Sequence, residues 1–149
     1  MMESASAGRP AHMMGFTDAV RNALMNNYVN FNGRASRSEY WWFFLFTMIL
    51  QFIALPIDIV VLGYDMMDPG AIQIVGTIAG LALFLPSLCV LVRRLHDLGK
   101  SGWWILIALI PLLGIIVLLV FMVTEGEQLP NQYGEVPTNT IKQDERYHY

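Results

Sequence analysis

Charge is scarce in this sequence: Asp, Glu, Lys and Arg make up 14% of its 149 residues, against about 25% in soluble domains. Cysteine is scarcer still. With Cys89 alone, no intramolecular disulfide can form and no redox compartment can be inferred. Only three histidines are present, and two of them, His12 and His148, lie in the polar ends of the chain. No complete catalytic, metal-ligand or nucleotide motif occurs, so no catalytic residue, metal, cofactor or nucleic-acid partner is expected. The first residues, rich in Met, Ala, Ser and Gly, lack the apolar stretch and cleavage site of a secretory signal peptide.

Apolar sequence is what the chain has in abundance, at 55% hydrophobic residues. It is concentrated in three runs, Tyr40 to Leu62, Ala71 to Val92 and Trp103 to Val123. Each is near the ~20 residues a helix needs to cross the hydrocarbon core of a bilayer. So much apolar surface cannot be hidden inside a water-soluble domain of this size. The expected fold class is therefore an all-α integral membrane protein with three transmembrane segments. Residues 15–137 would form a single membrane domain, with 1–14 a disordered extension and 138–149 a polar tail. Before the first run, Phe16, Val20, Ala23, Leu24, Tyr28 and Phe31 recur at three- and four-residue spacing. That spacing predicts an amphipathic helix, expected to lie at the membrane interface, with packing across the ends of the spans as the alternative.

Pro111 and Gly114 interrupt the third run near its middle. A kinked single crossing is the favoured reading, since Pro removes one backbone hydrogen bond and bends the helix. A re-entrant hairpin of two half-helices is the alternative. Gly76 and Gly80 form a Gly-x-x-x-Gly spacing that lets helices approach closely, a weak sign of a dimer face.

Basic residues near the span ends divide unevenly. Arg34, Arg37, Arg93, Arg94 and Lys100 flank one set of ends, whereas the Gly63 to Gly70 connection carries Asp65 and Asp68 and no Lys or Arg. The positive-inside rule then puts the N-terminus and the Arg93 to Lys100 loop in the cytoplasm. Three full crossings would leave the C-terminus outside. The Trp41–Trp42 and Trp103–Trp104 pairs open the first and third runs at the same cytoplasmic interface, where indoles bury their rings and keep their N–H groups wet.

At these charged stretches the chain resembles a known family. Gly33-Arg34-x-Ser36-Arg37-x-Glu39-Tyr40-Trp41 is followed by Arg93-Arg94-Leu95-His96-Asp97 and Lys100-Ser101-Gly102-Trp103-Trp104. Pro111, Gly114 and Asn131-x-Tyr133-Gly134-x-x-Pro137 complete the series. Together they look like the signature of domain-of-unknown-function family 805, the small YhaH-like proteins of bacterial inner membranes. The resemblance implies a small multi-pass inner-membrane protein with no established activity.

The candidate site is the basic rim: Arg34, Arg37, Glu39, Arg93, Arg94, His96, Asp97 and Lys100, bordered by Trp41, Trp42, Trp103 and Trp104. If the second helix continues through Arg93, Asp97 lies within one turn of both Arg93 and Arg94, leaving Glu39 near Arg34 and Arg37. The surplus of basic groups suits anionic membrane lipid headgroups or an acidic partner segment. His96 and Asp97 are adjacent and point about 100° apart on a helix, a poor arrangement for acid–base work. Asp58 lies near the outer end of the first run, where a boundary role is expected before an ion relay. The expected function is a non-catalytic interaction or scaffold protein contacting lipid or a partner. The alternative is a transport or channel component, a homo-oligomer gathering Gln51, Asp58 and Gln73 around a path.

Overall fold

The computed structural model describes residues 14–137, and its regular elements are all helices, with no strand among the described residues. The expectations for the N-terminal extension before Met14 and for the tail after Pro137 lie outside those residues. Two helices of 24 residues, α2 (Arg37–Val60) and α3 (Ile74–Asp97), form the frame. Both are long and apolar enough to cross a membrane. At ~1.5 Å per residue each reaches ~36 Å, past the ~30 Å of a hydrocarbon core.

The ends of both helices are set by identifiable residues. Ser36 caps α2, its hydroxyl accepting the N–H of Glu39 at 3.2 Å, in the Ser-x-x-Glu spacing of a helix start. α3 has no side-chain cap of its own; Asp58 of α2 supplies one, accepting the N–H groups of Val75 and Gly76 at 2.8 and 2.9 Å. Asp58 is fully buried, so its carboxylate turns inward and joins two helix ends. α3 runs on past Val92 to Asp97 and stops at Gly99, whose φ of +71° favours a residue without a side chain.

Gly76 and Gly80 face α2 of the same chain. A Cβ on Gly76 would lie 3.4 Å from Asp58 Oδ2, and one on Gly80 would lie 3.5 Å from Gln51 Nε2. The small residues thus serve the α2–α3 contact within the chain. Gln51 also donates to the Gly76 carbonyl at 3.3 Å.

The N-terminal helix is shorter than its apolar stripe suggests. α1 (Phe16–Arg21) passes into a π-helical turn, Asn22–Asn26, and ends there. Side chains of this Asn-rich stretch bond locally, Asn27 to the Asn22 side chain at 3.0 Å and Asn30 to Asn27 at 2.7 Å. Such bonds compete with helix continuation. Rather than lying apart on a surface, α1 and its π turn pack on α2 and α3. Ala23 joins Phe43, Leu83 and Val90 in the core, and Phe16 meets Trp42 and Phe46 edge-on.

The third apolar run is not the single kinked helix favoured above. It consists of a 3-10 helix, Gly102–Leu109, and an α-helix, α4 (Leu113–Val123), folded back on each other. At the turn Leu112 has φ +61°, and Leu113 N–H bonds to the Pro111 carbonyl at 2.7 Å, a strained three-residue turn. Gly114 makes the doubling-back sterically feasible: a Cβ there would fall 1.7 Å from the Ile107 carbonyl oxygen. At the open end Trp104 and Phe121 meet at 5.7 Å, with Lys100 Nζ 5.0 and 4.8 Å from their ring centres. The hairpin therefore begins and ends beside the N-terminus of α2 and the C-terminus of α3.

Candidate functional site

Where these ends meet, five charged side chains form a buried cluster. Asp97, fully buried on the last turn of α3, accepts Arg34 Nε at 3.0 Å on one oxygen and Arg94 Nη1 at 2.6 Å on the other. Arg93, one residue from Arg94 and so turned by about 100°, reaches a different acid. Its guanidinium meets Glu39 of α2 at 2.8 Å, and Asn22 donates to the same carboxylate oxygen at 2.9 Å. The expected Arg94–Asp97 pair is present. Arg93, however, pairs with Glu39 rather than Asp97, and Arg34 pairs with Asp97 rather than Glu39, because the α2–α3 packing turns Arg93 toward α2 and brings the Arg34 loop over the end of α3.

Further guanidinium donors of Arg34, Arg37 and Arg94 meet backbone carbonyls. Arg94 Nη2 donates to the Thr124 carbonyl and lies 3.5 Å from those of Phe121 and Met122. Arg37 reaches the Val123 carbonyl at 3.2 Å, and the Trp41 indole N–H that of Met122 at 3.3 Å. Those carbonyls belong to the last turn of α4, which has no helical partners for them and carries the negative end of the helix dipole. Cations therefore close the hairpin's end.

Beyond α4 the chain crosses the cluster as a strap. Arg34 donates to the carbonyls of Glu127 at 2.5 Å, Leu129 at 2.9 Å and Gly134 at 3.3 Å. Glu127 N–H bonds to the Asp97 carbonyl at 2.8 Å, and Asn131 donates to the His96 carbonyl at 3.0 Å. The His96 ring stacks on Tyr133, 3.9 Å apart and 2° from parallel, while its Nδ1 faces the Gly33 carbonyl at 3.0 Å. That carbonyl can only accept, so Nδ1 carries the hydrogen. His96 is thus held by the strap and the Gly33 loop, and Asp97 by arginines.

The predicted rim residues are brought together, with unequal access. Arg34, Arg93 and Arg94 are buried at 7%, 3% and 0% exposure, as are Glu39, His96 and Asp97. Arg37 and Lys100 are half-buried, and Trp42, Trp103 and Trp104 are exposed. Arg37, Ser38, Trp41, Trp42 and Val123 line an open cleft of about 360 Å³. Sequence reasoning missed the strap's part in the site. Its signal was the spacing of Asn131, Tyr133 and Gly134, which gave no hint of their partners. The cap formed by Asp58 was missed too, since nothing local links it to Val75 and Gly76.

This arrangement defines a small helical protein whose ionic groups hold helix ends, a hairpin and a strap together. The family described as "Protein of unknown function (DUF805)" matches residues 28–135, and the chain belongs to that family. Curated relatives include inner membrane protein YhaH of Escherichia coli (strain K12), 40% identical over 114 residues, 76% of this chain and 92% of that protein. Inner membrane protein YhaI of the same strain is 41% identical over 115 residues, 77% of this chain and 92% of that protein. No solved structure matches.

Proposed function

We propose that this chain is a non-catalytic inner-membrane protein that crosses the bilayer twice, with its arginine end in the cytoplasm, and holds anionic lipid at the rim of that end. Its third apolar segment is re-entrant, returning the strap to the cytoplasmic side. The inner-membrane setting is supported by the inner membrane proteins YhaH and YhaI among its relatives. The orientation is supported by the basic residues clustered at one pair of helix ends.

The observation that carries the lipid reading is the division of labour within the rim. Arg34, Arg93 and Arg94 are buried in ion pairs, whereas Arg37, with its bond to the Val123 carbonyl, and Lys100, over the Trp104 and Phe121 rings, remain half-buried beside exposed Trp42, Trp103 and Trp104 at the edge. A basic group near an anionic leaflet is worth ~1 kcal/mol. The pair R37A and K100A should therefore lower retention of anionic phospholipid, measured by native mass spectrometry, by roughly tenfold or more. Zwitterionic lipid should be unaffected. Equal retention of anionic lipid by the parent and the double variant would overturn the reading.

A further inference from the structure

The elements added to the α2–α3 pair are all gathered at one end of it. The 3-10 arm of the hairpin has 8 residues and α4 has 11. At ~2.0 and ~1.5 Å per residue each arm is ~16 Å long, about half of a ~30 Å hydrocarbon core. Both arms start from the arginine end, where Arg37, Trp41 and Arg94 hold the last carbonyls of α4. α1 and its π turn sit at the same end. Their partners on α2 are Trp42, Phe43 and Phe46, in its first half, and those on α3 include Leu83, near its middle, and Val90.

The far half is bare by comparison. Beyond Ala82, whose carbonyl accepts the Tyr28 hydroxyl, α2 and α3 are the helices that occupy it among the described residues, joined by the 61–73 connection and through Asp58, Gln51 and Gly76. Phe52, Val60, Ile78 and Leu81 stand open there at 71%, 81%, 63% and 72% exposure. In cross-section the molecule has five helical pieces toward the arginine end and two toward the other. Helices with their side chains are ~10 Å across, so the added pieces at least double the area taken from one leaflet. We infer that the protein is a membrane wedge that favours bilayer curved so that its arginine-side leaflet is convex. Its ligand is the shape of a lipid surface. An insertion that widens one leaflet is accommodated best where that leaflet is already stretched, the physical basis of curvature sensitivity in shallow-inserting helices.

The inference rests on the re-entrant reading above, and the experiment separates the two. Full-length protein is reconstituted into vesicles of one lipid composition and a range of diameters. Ser101→Cys and Thr124→Cys are introduced separately in a Cys89→Ala background, and an impermeant thiol dye reports which side each site faces. Protein per unit membrane area is then read on single vesicles. Both sites should label from the same side, and molecules with the arginine end outward should be enriched severalfold on the smallest vesicles. Those facing inward should be depleted there. Labelling from the same side with a density independent of diameter would overturn the wedge while leaving the hairpin standing. So would pairing of copies through their bare far halves, since that fills the thin side and also gives a flat density. Labelling from opposite sides would overturn both.

Discussion

Asp97 of α3 bridges two arginines that approach it from different parts of the chain, Arg94 from three residues before it and Arg34 from 63 residues away. Because all three groups are buried, removing the carboxylate takes one shared ion-pair partner from two guanidiniums in a low-dielectric interior. Asp97→Ala should lower unfolding stability in detergent by ~3–5 kcal/mol, with Asp97→Asn less damaging. Double-mutant cycles should give coupling of ~0.5–3 kcal/mol between Asp97 and each of Arg34 and Arg94, but near-additivity between Asp97 and Arg93. Strong Asp97–Arg93 coupling together with additive Arg34 would contradict the pairing.

Asp58 should behave as a helix cap rather than a titrating relay. Its two oxygens hold the N–H groups of Val75 and Gly76, so Asp58→Ala should cost ~1–2 kcal/mol and loosen the first turn of α3. Amide exchange at Val75 and Gly76 is the direct readout. Unchanged protection at both positions would refute the capping role.

The hairpin depends on Gly114. Since a Cβ there meets the backbone oxygen of Ile107 rather than a flexible side chain, even Gly114→Ala should spread the two arms. Trp104→Cys with Phe121→Cys, in a Cys89→Ala background, should cross-link readily with a short bifunctional reagent. Adding Gly114→Ala should reduce that yield severalfold. An undiminished yield would show that the arms tolerate the methyl group.

Stacking on His96 pins the strap through Tyr133. An aromatic pair of this kind is worth about 0.5–1.5 kcal/mol, so Tyr133→Ala should speed limited proteolysis of the strap roughly two- to tenfold. Tyr133→Phe, which keeps the ring, should be silent. Equal acceleration by both substitutions would assign the effect to the hydroxyl.

Topology offers the broadest check. Reporters in the Arg93 to Lys100 loop and after Pro137 should both read cytoplasmic, and one in the Asp65 loop should read external. An external tail would restore three full crossings and remove the re-entrant segment.

Much of this architecture was legible in the residues themselves. The uninterrupted apolar length of the first two runs dictates α2 and α3, because a long helix is the structure that satisfies every backbone group without water. The one-sided distribution of Arg, Lys and Trp marks which helix ends belong together. Pro111 and Gly114 show where the third run must break, and helix geometry alone puts Asp97 within reach of Arg94.

Local pattern stops short of the partners. That Glu39 meets Arg93 and Asp97 meets Arg34, 54 and 63 positions apart, depends on how α2 and α3 turn against each other. Periodicity along either helix carries no record of that rotation. The same Pro and Gly suit a kink or a hairpin, and the choice falls to Gly114 lying against Ile107 and to arginines waiting at the far end of α4 for its unpaired carbonyls. Three basic residues that read as a lipid-facing rim are buried through tertiary contacts: the returning hairpin and strap bring carbonyls to Arg94 and Arg34, α2 brings Glu39 to Arg93, and a guanidinium paired with carboxylates or carbonyls can leave water.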